Sequence, residues 1–201
     1  MNYPLDLNVG AEAWHLFNTR RSDPAFQPFA KTIWARDDYR CQYCSFQSKT
    51  NLEVVNIDHN YLNNDPHNLI TACPLCQQCL FIEMAGKLEI GGGVMIYLPE
   101  MTQNQLNALC HVLFCAVATS SSYMTKAHDI LNNLRLRAQP VEQQYGENLS
   151  QPALLGQILI DTPASNMEEM KKNLFASLRL LPSMDKFDIL IDDWTANASS
   201  F

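Results

Sequence analysis

Two Cys-x-x-Cys pairs in the first half of the chain constrain its fold more than any other feature. Cys41 and Cys44 form the first pair, and Cys73 and Cys76 form the second. A Cys-x-x-Cys turn directs both sulfurs to the same side, and two such turns can complete a tetrahedral Zn²⁺ site with Zn–S distances of about 2.3 Å. Four thiolates leave no open position for water, so the pattern predicts one structural zinc ion rather than a catalytic one.

Other interpretations of the cysteines remain open. The four could be buried reduced thiols without a metal. Cys79, close behind Cys76, is either a spare ligand or a simple core or surface thiol, whereas Cys110 and Cys115 are expected to pack in the core. The chain has seven cysteines in all, an odd number that fits a reducing compartment better than a disulfide framework.

The charge balance argues against a protein that binds mainly the nucleic-acid backbone. The chain has 14 Lys and Arg against 21 Asp and Glu, and its formal net charge is −7. Non-specific affinity for nucleic acid comes mostly from Lys and Arg that neutralise phosphates. The segment 31–90 around the cysteines carries 5 basic and 7 acidic residues, so it forms no basic patch. We therefore expect no nucleic-acid partner.

The apolar residues are distributed as in a globular protein of the cytosol. The hydrophobic content of 47% is ordinary for a globular chain. The sequence has no run of about 18 apolar residues, and its start, "MNYPLDLNVG", lacks the pattern of a signal peptide. We expect a cytoplasmic protein without direct membrane insertion, although docking onto a membrane-embedded partner remains compatible with this composition.

Secondary structure in the first half is predicted from β-branched runs and from glycine and proline. The stretch "LEVVNID" (52–58) predicts a strand because it is rich in β-branched residues. We predict helices over "PAFQPFAKTIWARDD" (24–38) and "NLITACPLCQQCLFIEMAG" (68–86). The three glycines at 91–93 predict a turn into a short strand, which Pro99 stops.

The second half is predicted to be mainly helical. One helix begins at Thr102, whose spacing to Gln105 is that of a capping box. Apolar residues then recur at helical spacing: Leu106, Leu109, Cys110, Leu113, Phe114 and Val117. A second helix is predicted from Ser165 through Leu181, and further helices over 123–137, 152–160 and 184–198.

The segment between the cysteine pairs, "VVNIDHNYLNNDPHNLI", resembles the HNH endonuclease family. In that family an Asp-His pair supplies a metal ligand and a general base, and an Asn in the following loop orients the base. Asp58, His59 and Asn68 match these positions. Gln77, on the helix after the second pair, is a poor ligand for Mg²⁺ or Zn²⁺, and the basic residue usual one turn later is missing. We expect an incomplete catalytic metal site and no enzyme activity.

Longer stretches resemble the DotN/IcmJ family of the Dot/Icm type IVB secretion system. They are "YPLDLNVGAEAWHLFNTRRSDPAFQPFAKTIWARDDYRCQYCSFQ", "GGGVMIYLPEMTQNQLNALCHVLFCA" and "LLPSMDKF". The resemblance runs from about Tyr3 to about Trp194. It implies a cytosolic zinc-binding protein with an HNH-like fold, in which the four cysteines hold the zinc. It also implies membership of the coupling complex that recruits effectors to an inner-membrane ATPase, by holding part of that ATPase's C-terminal extension.

The predicted fold class is α+β, with an HNH-like ββα zinc-stapled core and a mainly helical C-terminal half. Region 1–100 would be the HNH-like zinc-binding part, and region 101–201 the helical part, both packed as one globular unit. The expected function is that of a non-catalytic zinc-binding adaptor, recruited by its partner to the cytoplasmic face of the inner membrane. Its expected partners are the ATPase extension and other coupling-complex subunits directly, and effectors indirectly. The alternative is a metal-dependent HNH-type endonuclease that uses Asp58, His59 and Asn68.

The partner is expected to rest on apolar anchors. The candidate anchors are exposed aromatic residues in two places. One group lies near the strand "VMIYLPE", and the other lies in the N-terminal segment and consists of Trp14, Phe17, Phe26 and Phe29. A tail-binding subunit commonly lays an extended or helical peptide into an apolar groove.

Overall fold

Two small antiparallel sheets lie among helices in the computed structural model, which describes residues 3–87 and 91–197. The elements in chain order are α1 Ala11–Ser22, α2 Gln27–Arg36, β1 Glu53–Asn56, β2 Leu69–Ala72, α3 Pro74–Gln77, β3 Gly93–Tyr97, α4 Gln103–Ala118, α5 Met124–Leu136, α6 Gln139–Tyr145, α7 Pro152–Asp161, α8 Ala164–Phe175, β4 Leu178–Pro182 and α9 Asp188–Asn197. Short 3₁₀ turns cover Pro66–Asn68, Gln78–Leu80, Ile82–Met84 and Met184–Lys186. This is the mixed helix-and-sheet composition that the α+β prediction requires.

The first sheet pairs β1 with β2 and leads directly into α3. Val55 lies opposite Ile70, and Val54 lies opposite Thr71. Because successive side chains of a strand point to opposite faces, Val55 packs into the main core, whereas Val54 packs under α2 in a smaller cluster. Every residue of β2 is buried. The chain then turns at Cys73 into α3, so the second cysteine pair sits at the end of a fully buried strand.

The second sheet joins β3 to β4, which are far apart in sequence. Met95 lies opposite Leu180, and Gly93 lies opposite Pro182. A Cβ atom at Gly93 would lie 2.1 Å from the carbonyl oxygen of Leu181, so only glycine allows the strands to approach this closely. At the start of α4, Gln103 donates to the carbonyl of Leu180 at 2.8 Å and accepts from its N–H at 2.9 Å. These two bonds fix α4 to β4.

One main hydrophobic core contains residues from both predicted regions. Near the N-terminus, Phe17 packs on Phe81 with ring centroids 5.1 Å apart and on Tyr61 at 5.7 Å. Leu106 of α4 and Leu180 of β4 are fully buried in the same cluster. The described residues of 1–100 and 101–201 therefore share their apolar packing, while the boundary at residue 100 stays a prediction. Positions 1–2, 88–90 and 198–201 of those regions lie outside the described residues.

The helix predicted over 68–86 is wrong. Its first part forms β2, and only Pro74–Gln77 is α-helical before two 3₁₀ turns. The sequence "LITA" forms a strand because it pairs with β1 and is covered on both faces, a tertiary contact that overrides local preference.

The helix predicted from Ser165 through Leu181 is correct only in its first part. It ends at Phe175, and its N-cap is Pro163 rather than Ser165, without a side-chain cap bond. The remaining residues form β4 because Leu178–Pro182 pairs with β3. The apolar spacing at Leu178 and Leu181 thus belongs to a buried strand.

The other helix and strand predictions are confirmed in outline. The strand at 52–58 is β1, the strand before Pro99 is β3, and the helix at 24–38 is α2. Thr102 and Gln105 form the predicted capping box at the start of α4. The helices predicted over 123–137, 152–160 and 184–198 correspond to α5, α7 and α9, except that Ala198 lies outside the described residues. Helices α1 and α6 were not predicted.

Candidate metal centre

The four cysteines of the two Cys-x-x-Cys pairs meet in the core. The sulfurs of Cys41, Cys44, Cys73 and Cys76 all lie within 4.8 Å of one another, and all four residues are buried. The sulfurs of Cys44 and Cys73 are 3.6 Å apart. Four sulfurs at about 2.3 Å from a tetrahedral ion would be about 3.8 Å apart, so this group could hold a metal ion of that kind.

Tight backbone turns aim the sulfurs at this point. In the first pair, the N–H of Cys41 donates to the carbonyl of Phe46 at 2.8 Å, and Ser45 closes the turn with a left-handed φ of 66°. The N–H of Gln42 donates to Thr71 of β2 at 2.8 Å, which fixes the first turn to the first sheet. In the second pair, the N–H of Cys76 donates to the carbonyl of Cys73 at 3.0 Å.

Burial and the neighbouring sulfurs shift the pKa values of three thiols in this cluster in opposite directions. Burial acts to raise the pKa of Cys41, but hydrogen bonds from the three neighbouring sulfurs hold it well below its usual range. Burial raises the pKa of Cys73 and Cys76 well above that of a free thiol. A divalent cation bound between the four sulfurs would favour the deprotonated thiolate form of each cysteine.

Two polar residues of α4 contact this cluster, and they were not predicted. The Nδ2 of Asn107 lies 3.3 Å from the sulfur of Cys76, and the Nε2 of His111 lies 3.3 Å from the sulfur of Cys73. Both residues are buried, and burial lowers the pKa of His111 to about 3, so its ring is neutral near pH 7. Their one sequence signal is a spacing of four positions on the largely apolar part of α4 that follows its first turn.

The remaining cysteines lie outside the cluster of four. Cys79 is fully buried, and its thiol donates to the carbonyl of Leu75 at 3.3 Å. Of its two interpretations, the structure supports the core thiol. Cys110 is buried in the core as predicted, but Cys115 is exposed, so its predicted core position is wrong. Cys115 follows the buried Phe114 directly, and this one-position step turns it to the outer face of α4.

The structure gathers the nuclease-like residues into one exposed loop. The carboxylate of Asp58 accepts hydrogen bonds from the side chains of Asn68 at 2.8 Å and Asn63 at 2.9 Å, and from the N–H of Asn60 at 2.9 Å. Asn68 in return accepts from the N–H of Asp58 at 3.1 Å. Partial desolvation acts to raise the pKa of Asp58, but these donors lower it below its usual value. Amide donors therefore occupy the carboxylate oxygens that a metal would need.

His59 sits at the tip of this loop with a left-handed φ of 57°. It lines a cavity of about 480 Å³ together with Asp6 and with residues of α8 that include Lys171. His59 is exposed, but desolvation of the covered part of its ring lowers its pKa, an effect that Asp58 opposes and Lys171 reinforces. The structure thus joins Asp58 to Asn68 by hydrogen bonds, whereas His59 lines the cavity beside α8, and none of the three belongs to the buried sulfur group.

Comparison with known proteins decides the family. No protein-family profile matches the chain. The chain is 44% identical over 194 residues to the type 4 apparatus protein DotN of Legionella pneumophila, an alignment that covers 96% of this chain and 90% of that protein. The chain belongs to the DotN family. This confirms the resemblance to the DotN/IcmJ family, and the high coverage means that the relationship includes both halves of the chain.

The aromatic anchors expected on the surface of this DotN family member are only partly available. Phe17 is buried with 1% of its surface exposed, so its assignment as an exposed anchor is wrong. It is the centre of the aromatic packing between α1 and Phe81. Trp14, Phe26 and Phe29 are half-buried, whereas Tyr97 of β3 is exposed. Within the described ranges, no helix is long and apolar enough to cross a membrane.

Proposed function

We propose that this chain is a non-catalytic, zinc-binding adaptor subunit of a type IVB secretion coupling complex. The observation that carries this proposal is the 44% identity, over nearly its whole length, to a protein named as part of a type 4 apparatus. The adaptor lies in the cytoplasm, and its partner recruits it to the cytoplasmic face of the inner membrane.

Zinc is the metal that the cysteine cluster suits best. Buried, all-sulfur, four-ligand sites are typical of structural Zn²⁺, whereas Mg²⁺ and Ca²⁺ require oxygen ligands. In this proposal Cys41, Cys44, Cys73 and Cys76 hold one ion. The ion fixes the turn before β1 to the start of α3, and so stabilises the first half of the chain.

The scaffold around the ion is HNH-like in this proposal. β1, β2 and α3 follow one another as a ββα unit, with the Asp58–Asn68 loop between the strands. The absence of catalysis is supported by the engagement of both Asp58 oxygens with amide donors and by Gln77 at the helix position where the HNH family has a metal ligand. The alternative endonuclease rests on the proximity of Asp58, His59 and Asn68 in one loop.

The direct partner is the C-terminal extension of the coupling ATPase, together with other subunits of the complex. Effector proteins depend on the adaptor indirectly, nucleic acid is not a partner, and the adaptor does not insert into the membrane. The net charge of −7 supports the exclusion of nucleic acid. Exposed apolar side chains such as Tyr97 supply the type of anchor that dominates most peptide interfaces.

Calorimetry with the isolated ATPase extension tests this function. We expect a one-to-one complex whose affinity weakens only modestly as ionic strength rises, because salt screens charges but leaves apolar burial intact. An extension of scrambled sequence and equal composition is the control. A fall of several orders of magnitude with salt would indicate an ion-pair interface. No detectable binding to the native extension would overturn the adaptor function.

A further inference from the structure

Asn107 and His111 approach the sulfur cluster from outside the four ligands. Each places a side-chain nitrogen 3.3 Å from a sulfur, Asn107 at Cys76 and His111 at Cys73. They are four positions apart in α4, so both lie on the helix face that is turned to the cluster. We propose that these two residues are positioning residues of the metal centre, which orient the Cys76 and Cys73 thiolates by N–H···S bonds and slow the loss of the ion. The inference rests on the proposed zinc site.

The charge of the centre gives the physical reason for such donors. Four thiolates around one Zn²⁺ leave negative charge in excess, and burying that charge is costly unless hydrogen-bond donors surround it. Residues that bond to metal ligands orient them and typically change metal affinity 10–100-fold when they are altered. Asn107 and His111 bring two such donors from the second half of the chain to a site whose ligands all come from the first half.

The orientation of Asn107 is fixed by its other contacts. Its Oδ1 accepts from Gln103 at 2.9 Å, and its Nδ2 also lies 3.2 Å from the carbonyl of Leu75. An amide oxygen only accepts and an amide NH₂ only donates, so these contacts place the NH₂ group on the sulfur of Cys76. Gln103 is itself held by both backbone groups of Leu180. A chain of hydrogen bonds therefore runs from β4 to the metal centre.

Aromatic rings fix the orientation of His111. Its ring stacks on Phe46 with centroids 3.8 Å apart and planes 2° apart, and it packs on Trp194 at 4.9 Å. The Nδ1 atom is buried and has no hydrogen-bond partner among the described residues. With its proton on Nε2, the ring donates to the sulfur of Cys73; the other tautomer would set a lone pair against a thiolate. In the proposed centre, where Cys73 is a thiolate, the proton therefore belongs on Nε2.

The test uses the full chain loaded with Co²⁺, whose thiolate charge-transfer bands report on the sulfurs, together with zinc release to an excess of chelator. The variants are Asn107→Leu, His111→Phe and His111→Gln. The first two remove a donor at similar volume, and the third restores an N–H near the position of Nε2. Leu106→Ala is the matched control on α4, because it creates a cavity in the core without removing a donor to sulfur.

We expect zinc release about 10–100-fold faster in Asn107→Leu and His111→Phe, with their charge-transfer bands shifted to lower energy. His111→Gln should return both readouts towards the wild type, and Leu106→Ala should leave the bands in place. Unshifted bands, with release no faster than in Leu106→Ala, would overturn the assignment. If His111→Phe does not fold, Asn107→Leu decides alone. A wild-type chain that takes up no metal would overturn the zinc site itself.

Discussion

The four-cysteine cluster and the Asp58–Asn68 loop are close in sequence, but different interactions hold them. The sulfurs are buried, and their contacts come from α3 and from the distant helix α4. The loop is exposed, and its bonds are mostly local, between Asp58 and asparagines up to ten positions away. The side chain of Asn56 adds bonds to the carbonyls of Asn60 at 2.9 Å and Asn63 at 2.7 Å.

This difference shows that the partners of a motif residue decide its role. A carboxylate next to a histidine is a nuclease signature only when its oxygens are free to bind a metal. Asp58 instead uses both oxygens to shape a turn, as aspartate commonly does in loops. The sulfurs of the cysteine cluster face one another in the core, which leaves a cation as their natural partner. We therefore expect the two regions to respond very differently to mutation.

The largest effect is expected from the loss of one cysteine of the cluster. Cys73→Ser removes a thiolate, so the chain should lose its zinc and most of its stability together, because metal binding and folding are coupled at such sites. Apparent zinc-binding free energies of about 10–16 kcal/mol in small zinc domains are comparable with the whole stability of a domain. Metal analysis and thermal unfolding, followed by circular dichroism, measure both quantities.

Cys79→Ser is the matched control for this comparison. Cys79 is as buried as Cys73 but lies outside the cluster, so its variant should keep one zinc per chain and lose at most about 1–3 kcal/mol through its buried hydroxyl. Full zinc content and an unchanged melting curve in Cys73→Ser would contradict the prediction. So would zinc loss in Cys79→Ser, since the site would then depend on a cysteine outside the four.

Removing the side chain of Arg20 should destabilise the Asp58–Asn68 loop, with a smaller loss of stability than the loss of a cysteine of the cluster. Its guanidinium donates to the side chains of Asn56 at 2.7 Å and Asn64 at 2.8 Å, and to the carbonyl of Val54 at 2.8 Å. Arg20→Met keeps the length of the side chain but removes these bonds. We expect a loss of about 2–4 kcal/mol in urea unfolding, with zinc retained.

Arg21→Met is the control for Arg20. Arg21 pairs with Glu53 at 2.8 Å but is 46% exposed, and such pairs contribute about 0–1 kcal/mol. Burial raises the pKa of Glu53 to about 7, so that carboxyl can take up a proton when its partner is removed. Equal losses in both variants would show that the bonds of Arg20 to the loop are not the cause, and zinc loss in Arg20→Met would show that the two regions are coupled.

The same contrast explains how much could be predicted from sequence. The four metal-ligand candidates follow from a local spacing, because each Cys-x-x-Cys turn is formed by neighbouring residues. β1, β3 and the capping box at Thr102 follow from local patterns as well. β2 and β4 could not be predicted this way, because their pairing with β1 and β3 is a tertiary contact. Leu178 and Leu181 satisfy helical spacing although they lie in a strand.

Asn107 and His111 were missed for a related reason. A polar residue on an apolar helix face predicts a contact, but it does not say with what. Only the packing of α4 against α3 places these side chains on the sulfurs. The role of Asp58 likewise depends on Asn63, which no motif names. Local spacing therefore predicted the metal ligands, whereas the hydrogen-bond donors around them could be identified only from the fold.

At low pH, the contribution of Asp58 to stability can be measured separately from that of the metal centre. Hydrogen bonds lower the pKa of folded Asp58, so its contribution to stability is present above its ordinary pKa of about 3.9 and is lost as the pH falls through the lower folded value. Asp58→Asn replaces an acceptor with a donor opposite Asn63. It should cost up to about 1 kcal/mol at pH 7, because the site is exposed and screened.

The difference between wild type and Asp58→Asn should shrink as the pH falls from about 4 through the lower folded pKa of Asp58, because the unfolded carboxylate takes up its proton first. Loss of zinc in acid affects both proteins equally, so the difference between their urea-unfolding curves isolates Asp58. Zinc content at pH 7 should be the same in both. A difference that stays constant from pH 7 to pH 3 would show that the charge of Asp58 has no part in holding the loop.

The smallest effect is expected from His59→Ala, and it tests the comparison most directly. His59 is exposed, and its left-handed backbone suits alanine slightly less than histidine, so stability should fall by no more than about 0.5–1 kcal/mol. If the loop only shapes the surface, effector translocation in cells should also be unchanged.

A general base contributes roughly 10²–10⁴-fold to a rate, so a nuclease would lose its activity. Plasmid nicking with Mg²⁺ and Mn²⁺ should therefore be absent from both proteins. Wild-type nicking that His59→Ala abolishes would replace the adaptor with the endonuclease, and translocation lost in a folded, zinc-loaded His59→Ala would give the loop a direct role.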